Sequence, residues 1–276
     1  MKLFLTKSLF SALALTSTTA FACNPITQAD VPITITSPGT YCLTENVATP
    51  TSINIESMNV TLDLNGNTLS ATRITNGVVS TADNVVIKNG TIANFASSVV
   101  ILGQNHSSYV HSNTIENINF LRSSSNNIFT NYAKNIKILN NNINMDVGIR
   151  SNVTLANAIK VDRSYDLLIK GNNISLKTPD STKTAVAVSS LQSSNVIIED
   201  NTFLGQYSHG SATLALLSSN DSARFLLKNN TSNGIRNFVY NTVYSVGFVA
   251  TGNTIIASSS TGLPSYIMDG GNNLFY

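Results

Sequence analysis

Short stretches of alternating apolar and polar residues recur along most of this 276-residue chain. The recurring phrase has the form small-Asn-apolar-x-apolar-x-x-Asn-x-apolar, and a clear copy occupies residues 195–203. Period-two alternation rich in Val, Ile, Leu and Phe, bounded by Asn, Gly, Ser and Thr, is typical of short strands. Further copies begin at Asn59, Asn84, Asn113, Asn135 and Asp166, and weaker ones at Arg224, Gly247 and Ser265.

A second short apolar segment precedes most copies of the phrase, for example at residues 99–102 and 185–188. Strands this short can bury their inward side chains only by stacking on the next repeat. The pattern therefore predicts an all-β chain in the form of a parallel β-helix, a solenoid of about nine coils over residues 31–276. One buried row of this solenoid is expected to contain Ile87, Ile138, Ile169 and Ile198.

Asparagine is frequent at the start of the phrase. Its side chain tolerates the left-handed backbone of tight corners, and its amide can bond to the equivalent amide one coil above. Asn59, Asn84, Asn135 and Asn195 occupy this position and are the candidate members of such a ladder. If the Asn135 amide is buried in it, replacing Asn135 should destabilise the protein.

The first 22 residues have the features of a secretory signal peptide. Lys2 and Lys7 provide a positive start, a short apolar run follows, and residues 20–22 form an Ala-x-Ala cleavage site. We therefore predict a secreted or periplasmic protein with a signal peptide at residues 1–22 and a β-helix domain at residues 23–276. No later stretch approaches the roughly 20 apolar residues of a membrane helix.

The chain has two cysteines, and the first of them would begin the mature protein. An even count favours a disulfide between Cys23 and Cys42, which would staple the N-terminal cap and stabilise it by roughly 3 kcal/mol in an oxidising compartment. The alternative is a lipid anchor on Cys23, although Ala20 and Phe21 fit the usual lipoprotein pattern poorly.

Charged residues are scarce, and this excludes several classes of function. They make up 11% of the chain, against roughly 25% in typical proteins, while 42% is hydrophobic. This composition argues against intrinsic disorder. A net charge of +2, part of it in the leader, leaves no basic stripe for nucleic acid.

The phrase at residues 195–203 and the segment at residues 37–43 resemble the repeat and first coils of the pectate-lyase-like right-handed parallel β-helix superfamily. The resemblance implies a single-stranded, right-handed solenoid. It implies little about chemistry, because the superfamily includes lyases, hydrolases, epimerases, phage tailspikes and non-catalytic surface proteins. The Asp pairs and Gly-His-Gly of its pectin hydrolases have no counterpart here, the nearest match being Ser208-His209-Gly210.

The densest charge lies between Asp146 and Asp166. Lys160 is flanked by Ile159 and Val161, so it should point outward, beside Thr130 and Ala187 of the neighbouring coils. One interpretation is a lyase-like or epimerase-like pocket in which Lys160 or Arg163 takes a proton next to a sugar carboxylate. The other is a solvated cluster of ion pairs at a turn. The candidate catalytic residues are Asp146, Lys160, Asp162 and Arg163.

The remaining sequence features indicate binding rather than catalysis. Nine Tyr residues are spread through the coils and offer flat faces for sugar rings. We therefore favour an exported protein that contacts polysaccharide on its lateral surface. The alternatives are a lyase or epimerase acting on uronate-containing glycans and a cell-surface structural or adhesion module. No cofactor or metal is expected, His209 is read as a loop residue, and the chain is expected to be a monomer.

Overall fold

Three flat faces, joined at tight corners, make up the solenoid seen in a computed structural model of the chain. Within the part described, the only helical element is a 3-10 turn at Gln28–Asp30. All pairings between the named strands are parallel, and 29 strands are numbered here in chain order. The structure describes residues 23–147, 154–178, 182–207, 213–235, 237–243, 246–256 and 267–276.

The first face is a sheet of nine strands. Each coil contributes one strand to it, and each strand pairs in register with those one coil before and after. Its members are β2 (Thr34–Ile35), β5 (Ile53–Ile55), β8 (Asn76–Ser80), β10 (Ser97–Leu102), β13 (Asn126–Asn131), β16 (Leu155–Asp162), β19 (Thr184–Leu191), β22 (Thr213–Asn220) and β25 (Asn237–Val243).

The second and third faces belong to one sheet of 20 strands that bends at a corner. The second face contains β1 (Asn24–Ile26), β3 (Gly39–Leu43), β6 (Val60–Asp63), β11 (Val110–His111), β14 (Ala133–Leu139), β17 (Tyr165–Lys170), β20 (Ser194–Glu199), β23 (Ala223–Lys228), β26 (Val246–Thr251) and β28 (Ile267–Asp269). The third contains β4 (Val47–Thr49), β7 (Thr68–Ala71), β15 (Asn142–Asp146), β18 (Asn173–Thr178), β21 (Thr202–Tyr207), β24 (Thr231–Asn233), β27 (Thr254–Ile256) and β29 (Leu274–Phe275). The strands β9 (Val86–Ala93) and β12 (Thr114–Leu121) continue across both.

The buried row of isoleucines is confirmed. Ile138, Ile169 and Ile198 pair in register on the second face, and Ile87 joins the same row through Ile115. All five side chains are buried. Because side chains alternate along a strand, each coil contributes the same inward positions, and stacking joins them into one continuous core.

A ladder of asparagines is present, but not at the predicted position. Asn59, Asn84 and Asn135 are exposed and Asn195 is only half-buried. The buried ladder lies instead at the corner between the second and third faces, at the closing Asn of the same phrase. There each side-chain amide nitrogen donates to the side-chain oxygen one coil further on, at 2.9–3.0 Å. Its members are Asn141, Asn172, Asn201, Asn230, Asn253 and Asn273.

The leading asparagines have a different role. Asn135 and Asn195 adopt φ of 56° and 57°, and Asp166, Arg224 and Gly247 at the equivalent positions are also left-handed. Asn, Asp and Gly enter this region at the lowest cost. The column therefore sets the backbone at the start of each strand of the second face, on the outside of the solenoid.

The predicted disulfide between Cys23 and Cys42 is present. It joins the segment before β1 to β3, and the two strands also pair along their length. The first residues of the described chain are thus held to the end of the solenoid, as a stapled cap requires. The number of coils and the signal peptide at residues 1–22 stay predictions.

Candidate functional site

Lys160 points outward from β16 on the first face, as predicted, but its neighbours differ from the prediction. The register places Phe129 and Ser189 beside it, not Thr130 and Ala187. Thr130 pairs with Val161 and is buried. A shift of one residue exchanges the two sides of a strand, and Ala187, two residues from Ser189, is buried as well. Both differences change what the Lys160 side chain meets.

The surroundings of Lys160 follow from this register. Its ammonium lies 5.2 Å from the centroid of the Phe129 ring, close enough for a cation–π contact. It also lies 3.2 Å from a carboxylate oxygen of Asp162, two residues along the same strand. The side chain of Lys160 is 34% exposed. The ammonium is therefore held between an aromatic face and a carboxylate rather than standing free in a groove.

Asp162 is the least exposed of the four candidate catalytic residues, with 6% of its surface accessible. Burial raises the pKa of its carboxyl group, and the nearby charges of Lys160 and Arg163 oppose the shift without cancelling it. The Oδ1 atom has no hydrogen-bond donor in the structure. A buried carboxyl whose pKa is shifted upward beside two cations is the kind of group that marks a candidate functional site.

Arg163 lies at the corner between the first and second faces, where its φ is 44°. Its Nε donates to the side-chain oxygen of Gln192 one coil further on, at 3.1 Å. Its guanidinium carbon lies 5.5 Å from the centroid of the Tyr132 ring, one coil before. The guanidinium is thus fixed across three coils by an amide and an aromatic ring.

Asp146 lies apart from the other three residues. It ends β15 on the third face, where Lys177 of the next coil is 3.6 Å away. The structure therefore brings Lys160, Asp162 and Arg163 together around one corner and places Asp146 on another side of the solenoid. His209, together with Arg150 of the predicted charged region, lies outside the described residues.

An aromatic cluster stands beside Arg163 and was not assembled by sequence reasoning. We call it the aromatic corner: His106, Tyr109, Tyr132 and Tyr165. The rings of Tyr109 and Tyr165 meet edge to face at 5.5 Å, and His106 meets Tyr132 in the same way at 4.9 Å. His106 and Tyr109 come from the extended connection between β10 and β11, which contains a turn closed by Asn105 and Ser108.

The phenol of Tyr109 is neutral at physiological pH. Burial and a hydrogen bond to Tyr165, together with the other phenols nearby, raise its pKa to about 12. The aromatic corner therefore offers protonated hydroxyl groups and ring faces rather than a phenolate base. This favours a binding surface over proton abstraction by tyrosine.

A groove of about 420 Å³ runs beside the aromatic corner. His106 and Tyr165 form one side, and Gln192 and Asp221 of the following coils form the other. Both Gln192 and Asp221 are exposed and hold left-handed corner positions equivalent to Arg163. The groove thus combines aromatic side chains with an amide, a carboxylate and a nearby guanidinium, which is a suitable lining for a polyhydroxylated ligand.

Two further findings concern metals and membranes. Within the described ranges, no group of three or more His, Cys, Asp and Glu side chains is placed to hold a metal ion. In the same part of the chain, no helix has the length and apolar character needed to cross a membrane.

Comparison with solved structures finds the same fold in phage tailspikes. The Dettilon tailspike protein is 11% identical, with a TM-score of 0.58, and the match covers 92% of this chain and 60% of that one. The enzymatically active domain of tailspike protein 2 of bacteriophage CBA120 is 11% identical, with a TM-score of 0.52, covering 88% of this chain and 41% of that one. No family model matches the sequence, and no curated protein matches it significantly.

These similarities establish the fold. The chain has the right-handed parallel β-helix fold, as the resemblance in the sequence implied. It spans about three fifths and two fifths of the two tailspike structures. At 11% identity this similarity supports a conclusion about the fold and none about the chemistry.

Proposed function

We propose that this chain is an exported β-helix protein that binds polysaccharide on its lateral surface, with the aromatic corner and its groove as the contact. The observation that carries the proposal is the convergence of three Tyr rings and His106 beside a groove lined by Gln192 and Asp221. A sugar ring presents an apolar face and a rim of hydroxyl groups. Aromatic faces match the first, and amide, carboxylate and guanidinium groups match the second.

The corner is fixed before any ligand arrives. Arg163 is held by Gln192 and Tyr132, and Tyr109 is held by Tyr132 and Tyr165. All of these residues except Tyr109, which immediately precedes β11, extend from a strand or corner of the stacked solenoid. Because little ordering is needed on binding, modest contacts suffice for measurable affinity.

Binding to a panel of immobilised polysaccharides tests the proposal. Tyr165→Ala should weaken the best ligand by about tenfold, equivalent to about 1.4 kcal/mol. Tyr276→Ala is the matched control, because Tyr276 is an exposed Tyr near the other end of the solenoid. Binding that is equal in the two variants would remove the aromatic corner from the proposal.

Export is the second part of the proposal, supported by the disulfide and by the leader-like residues 1–22. Structural disulfides persist in oxidising compartments. The disulfide also uses the Cys23 sulfur that a lipid anchor would need. Mass spectrometry of the mature protein should find Cys23 as its first residue and no free thiol. A diacylglycerol on Cys23 would instead make it a membrane-anchored protein.

A polysaccharide lyase or epimerase is the second candidate, favoured by the buried Asp162 carboxyl with its raised pKa. In this mechanism Lys160, in its neutral form, would take the proton from the carbon next to a uronate carboxylate, and Arg163 would neutralise that carboxylate. Asp162 would supply a proton to the departing oxygen in a lyase. Asp146, on the third face, would have no part in it.

Ultraviolet absorbance of unsaturated uronates, measured over the same panel, separates a lyase from a binding protein. The proposed binding protein gives no increase in absorbance. If turnover occurs, Lys160→Ala should abolish it, whereas Lys134→Ala should leave it intact. Lys134 is a suitable control because it is a half-exposed lysine paired with Asp166 on the second face. Epimerisation leaves the absorbance unchanged and is read from the uronate composition by nuclear magnetic resonance.

A further inference from the structure

A large groove with an aliphatic floor lies on the second face, next to the groove of the aromatic corner but sharing no lining residue with it. Its volume is about 770 Å³, within the range of roughly 300–1,000 Å³ typical of small-molecule sites. The floor consists of one outward residue from each of four neighbouring strands, paired in register. We call these residues the aliphatic stripe: Leu168, Ile197, Leu226 and Val249.

The aliphatic stripe is outward-facing and yet apolar. Outward positions of a solenoid normally carry polar side chains, as Ser189 does on the first face of the same coil as Ile197. Ile197 is nevertheless 38% exposed. Three strand spacings of about 4.8 Å give the stripe a length of roughly 14 Å along the solenoid axis. A contiguous apolar strip of this kind marks a contact surface.

The lining suits an aliphatic chain better than a sugar. Phe225 is the only aromatic residue that lines the described groove. It is buried and stacked on Phe248 at 4.9 Å, so it offers no ring face. Branched aliphatic side chains have no hydrogen-bonding groups for hydroxyls, and they gain free energy from any apolar area that they cover.

The charges around the groove favour an anionic head group on the aliphatic ligand. Lys137 continues the line of the stripe one coil before Leu168, and Arg224 lies on the rim. Within the part of the chain described, neither cation has a carboxylate within 4.0 Å. Asp166 is the single acidic residue of the lining. It already accepts a hydrogen bond from Asn195 at 2.7 Å and lies 3.8 Å from Lys134.

We propose that this groove binds one long-chain fatty-acid anion, with its tail along the aliphatic stripe and its carboxylate at Arg224. Gly247 stands beside Arg224, and a Cβ there would approach the Arg224 backbone nitrogen to 3.4 Å. Position 247 therefore places no side chain against Arg224. Arginine pairs with carboxylates through two parallel hydrogen bonds. The inference does not depend on the polysaccharide proposal.

Isothermal titration of the mature protein with laurate, below its micelle-forming concentration, tests this inference. Ile197→Asp should abolish binding, because a carboxylate in the floor would lose water where the apolar tail covers it and would repel the carboxylate of the ligand. Arg224→Gln should weaken binding about tenfold, and dodecyl maltoside, with its neutral head group, should bind correspondingly less well than laurate. Leu204→Asp should have no effect, since Leu204 is a similarly exposed aliphatic residue, 36% accessible, on the third face of the same coil.

Three outcomes would overturn the proposal. One is the absence of laurate binding to the wild-type protein. Another is laurate affinity that is unchanged by Ile197→Asp or by Arg224→Gln while circular dichroism shows both variants folded. The third is sedimentation as a dimer that Ile197→Asp dissociates, which would assign the stripe to a second copy of the chain. Polysaccharide binding should persist in all of these variants, so failure here is distinct from failure at the aromatic corner.

Discussion

The two asparagine columns of this solenoid contain the same residue in two different physical states. At the corner between the second and third faces, Asn201 is buried, and its side-chain nitrogen donates to Asn230 and to the carbonyl of Ile169. At the start of the second face, Asn195 is half-buried, and its amide donates to the Asp166 carboxylate. The first column satisfies polar groups inside the protein, and the second shapes the backbone at its surface.

This difference shows where a polar repeat stabilises a solenoid. A buried amide without a partner costs about 1–3 kcal/mol, so an inward Asn column is stable only if every member is bonded. In this ladder every side-chain oxygen after that of Asn141 accepts from both the backbone and the side-chain nitrogen of the Asn one coil before. The outer column is under no such constraint. Asp, Arg and Gly replace Asn in it without loss of the fold.

The largest effect is expected from Asn201→Ala. The backbone and side-chain nitrogens of Asn172 would lose their shared acceptor, and the carbonyl of Ile169 would lose a donor. With two or more buried groups unpaired at about 1–3 kcal/mol each, the free energy of unfolding should fall by at least about 2 kcal/mol. Urea denaturation measures it. A loss below 1 kcal/mol on this scale would show that the ladder is replaceable by water.

The sequence carried enough information for the fold because the strand pattern is local. Period-two alternation and the repeat are both visible in the sequence alone. The buried row through Ile138, Ile169 and Ile198 follows from them. The same alternation could have placed the ladder. Asn195 precedes the inward Val196, so it must point outward, and the weaker copies of the phrase keep the closing Asn while losing the leading one.

The candidate site was less predictable, since it depends on contacts between coils. Lys160 was correctly expected to face outward, but its expected neighbours, Thr130 and Ala187, lie one and two residues from the true ones. In the pairing of the first face, Ala158 and Ala187 are skipped, which shifts the alternation. The burial of Asp162 and the meeting of Tyr109 with Tyr165 depend on the path of a corner and a loop. Neither leaves a periodic signal in the sequence.

Asp162 tests what happens to a buried polar group outside the ladder. Its carboxyl has a pKa raised by burial above the ordinary 3.8, so the folded protein binds this proton more tightly than the unfolded chain does. Between the two pKa values the folded state carries more protons, and the free energy of unfolding falls as pH rises through that window. In Asp162→Asn this contribution disappears. Melting temperatures measured from pH 3 to pH 8, around the ordinary carboxyl range, test this. The melting temperature of the variant should rise relative to that of the wild type as pH rises.

Other carboxyl groups do not obscure this result. The pKa values of Glu199 and Asp200 are lowered by lysine partners, so these groups give a slope of opposite sign in both proteins. The difference between wild type and variant therefore isolates Asp162. If the difference in melting temperature between wild type and variant were constant across the pH range, Asp162 would titrate in the folded protein as it does in the unfolded chain.

A smaller effect is expected in the outer column from Asn195→Ala. The left-handed backbone at φ 57° costs an Ala about 1–2 kcal/mol, and the bond to Asp166 is only partly buried. Asn195→Gly should recover most of the loss, because glycine enters this region freely. The same urea denaturation compares the variants with Asn201→Ala and Asn201→Gly. At the ladder, glycine should give no recovery, since the missing amide and not the backbone causes the loss.

The smallest effect is expected among the partly exposed ion pairs of the second face. Glu199 lies between Lys228 at 2.7 Å and Lys170 at 3.3 Å. The hydrogen bond from Lys228, reinforced by Lys170, lowers the pKa of the Glu199 carboxyl below its usual range. Its contribution to stability is therefore present above pH 4.5, the ordinary value, and is lost as pH falls through the lowered pKa.

Glu199→Gln should reduce the melting temperature only slightly at pH 7 and low salt, because both lysine partners remain largely in contact with solvent and such pairs contribute little. In about 1 M salt, where the screening length is near 3 Å, the difference between variant and wild type should vanish. It should vanish as well in acid, where wild-type Glu199 is itself protonated. The loss at Asn201, in contrast, should persist under all these conditions, because the buried amides carry no charge to screen. A salt-independent loss in Glu199→Gln would mean that this carboxylate, like the inner asparagines, stabilises the stack through hydrogen bonds shielded from water.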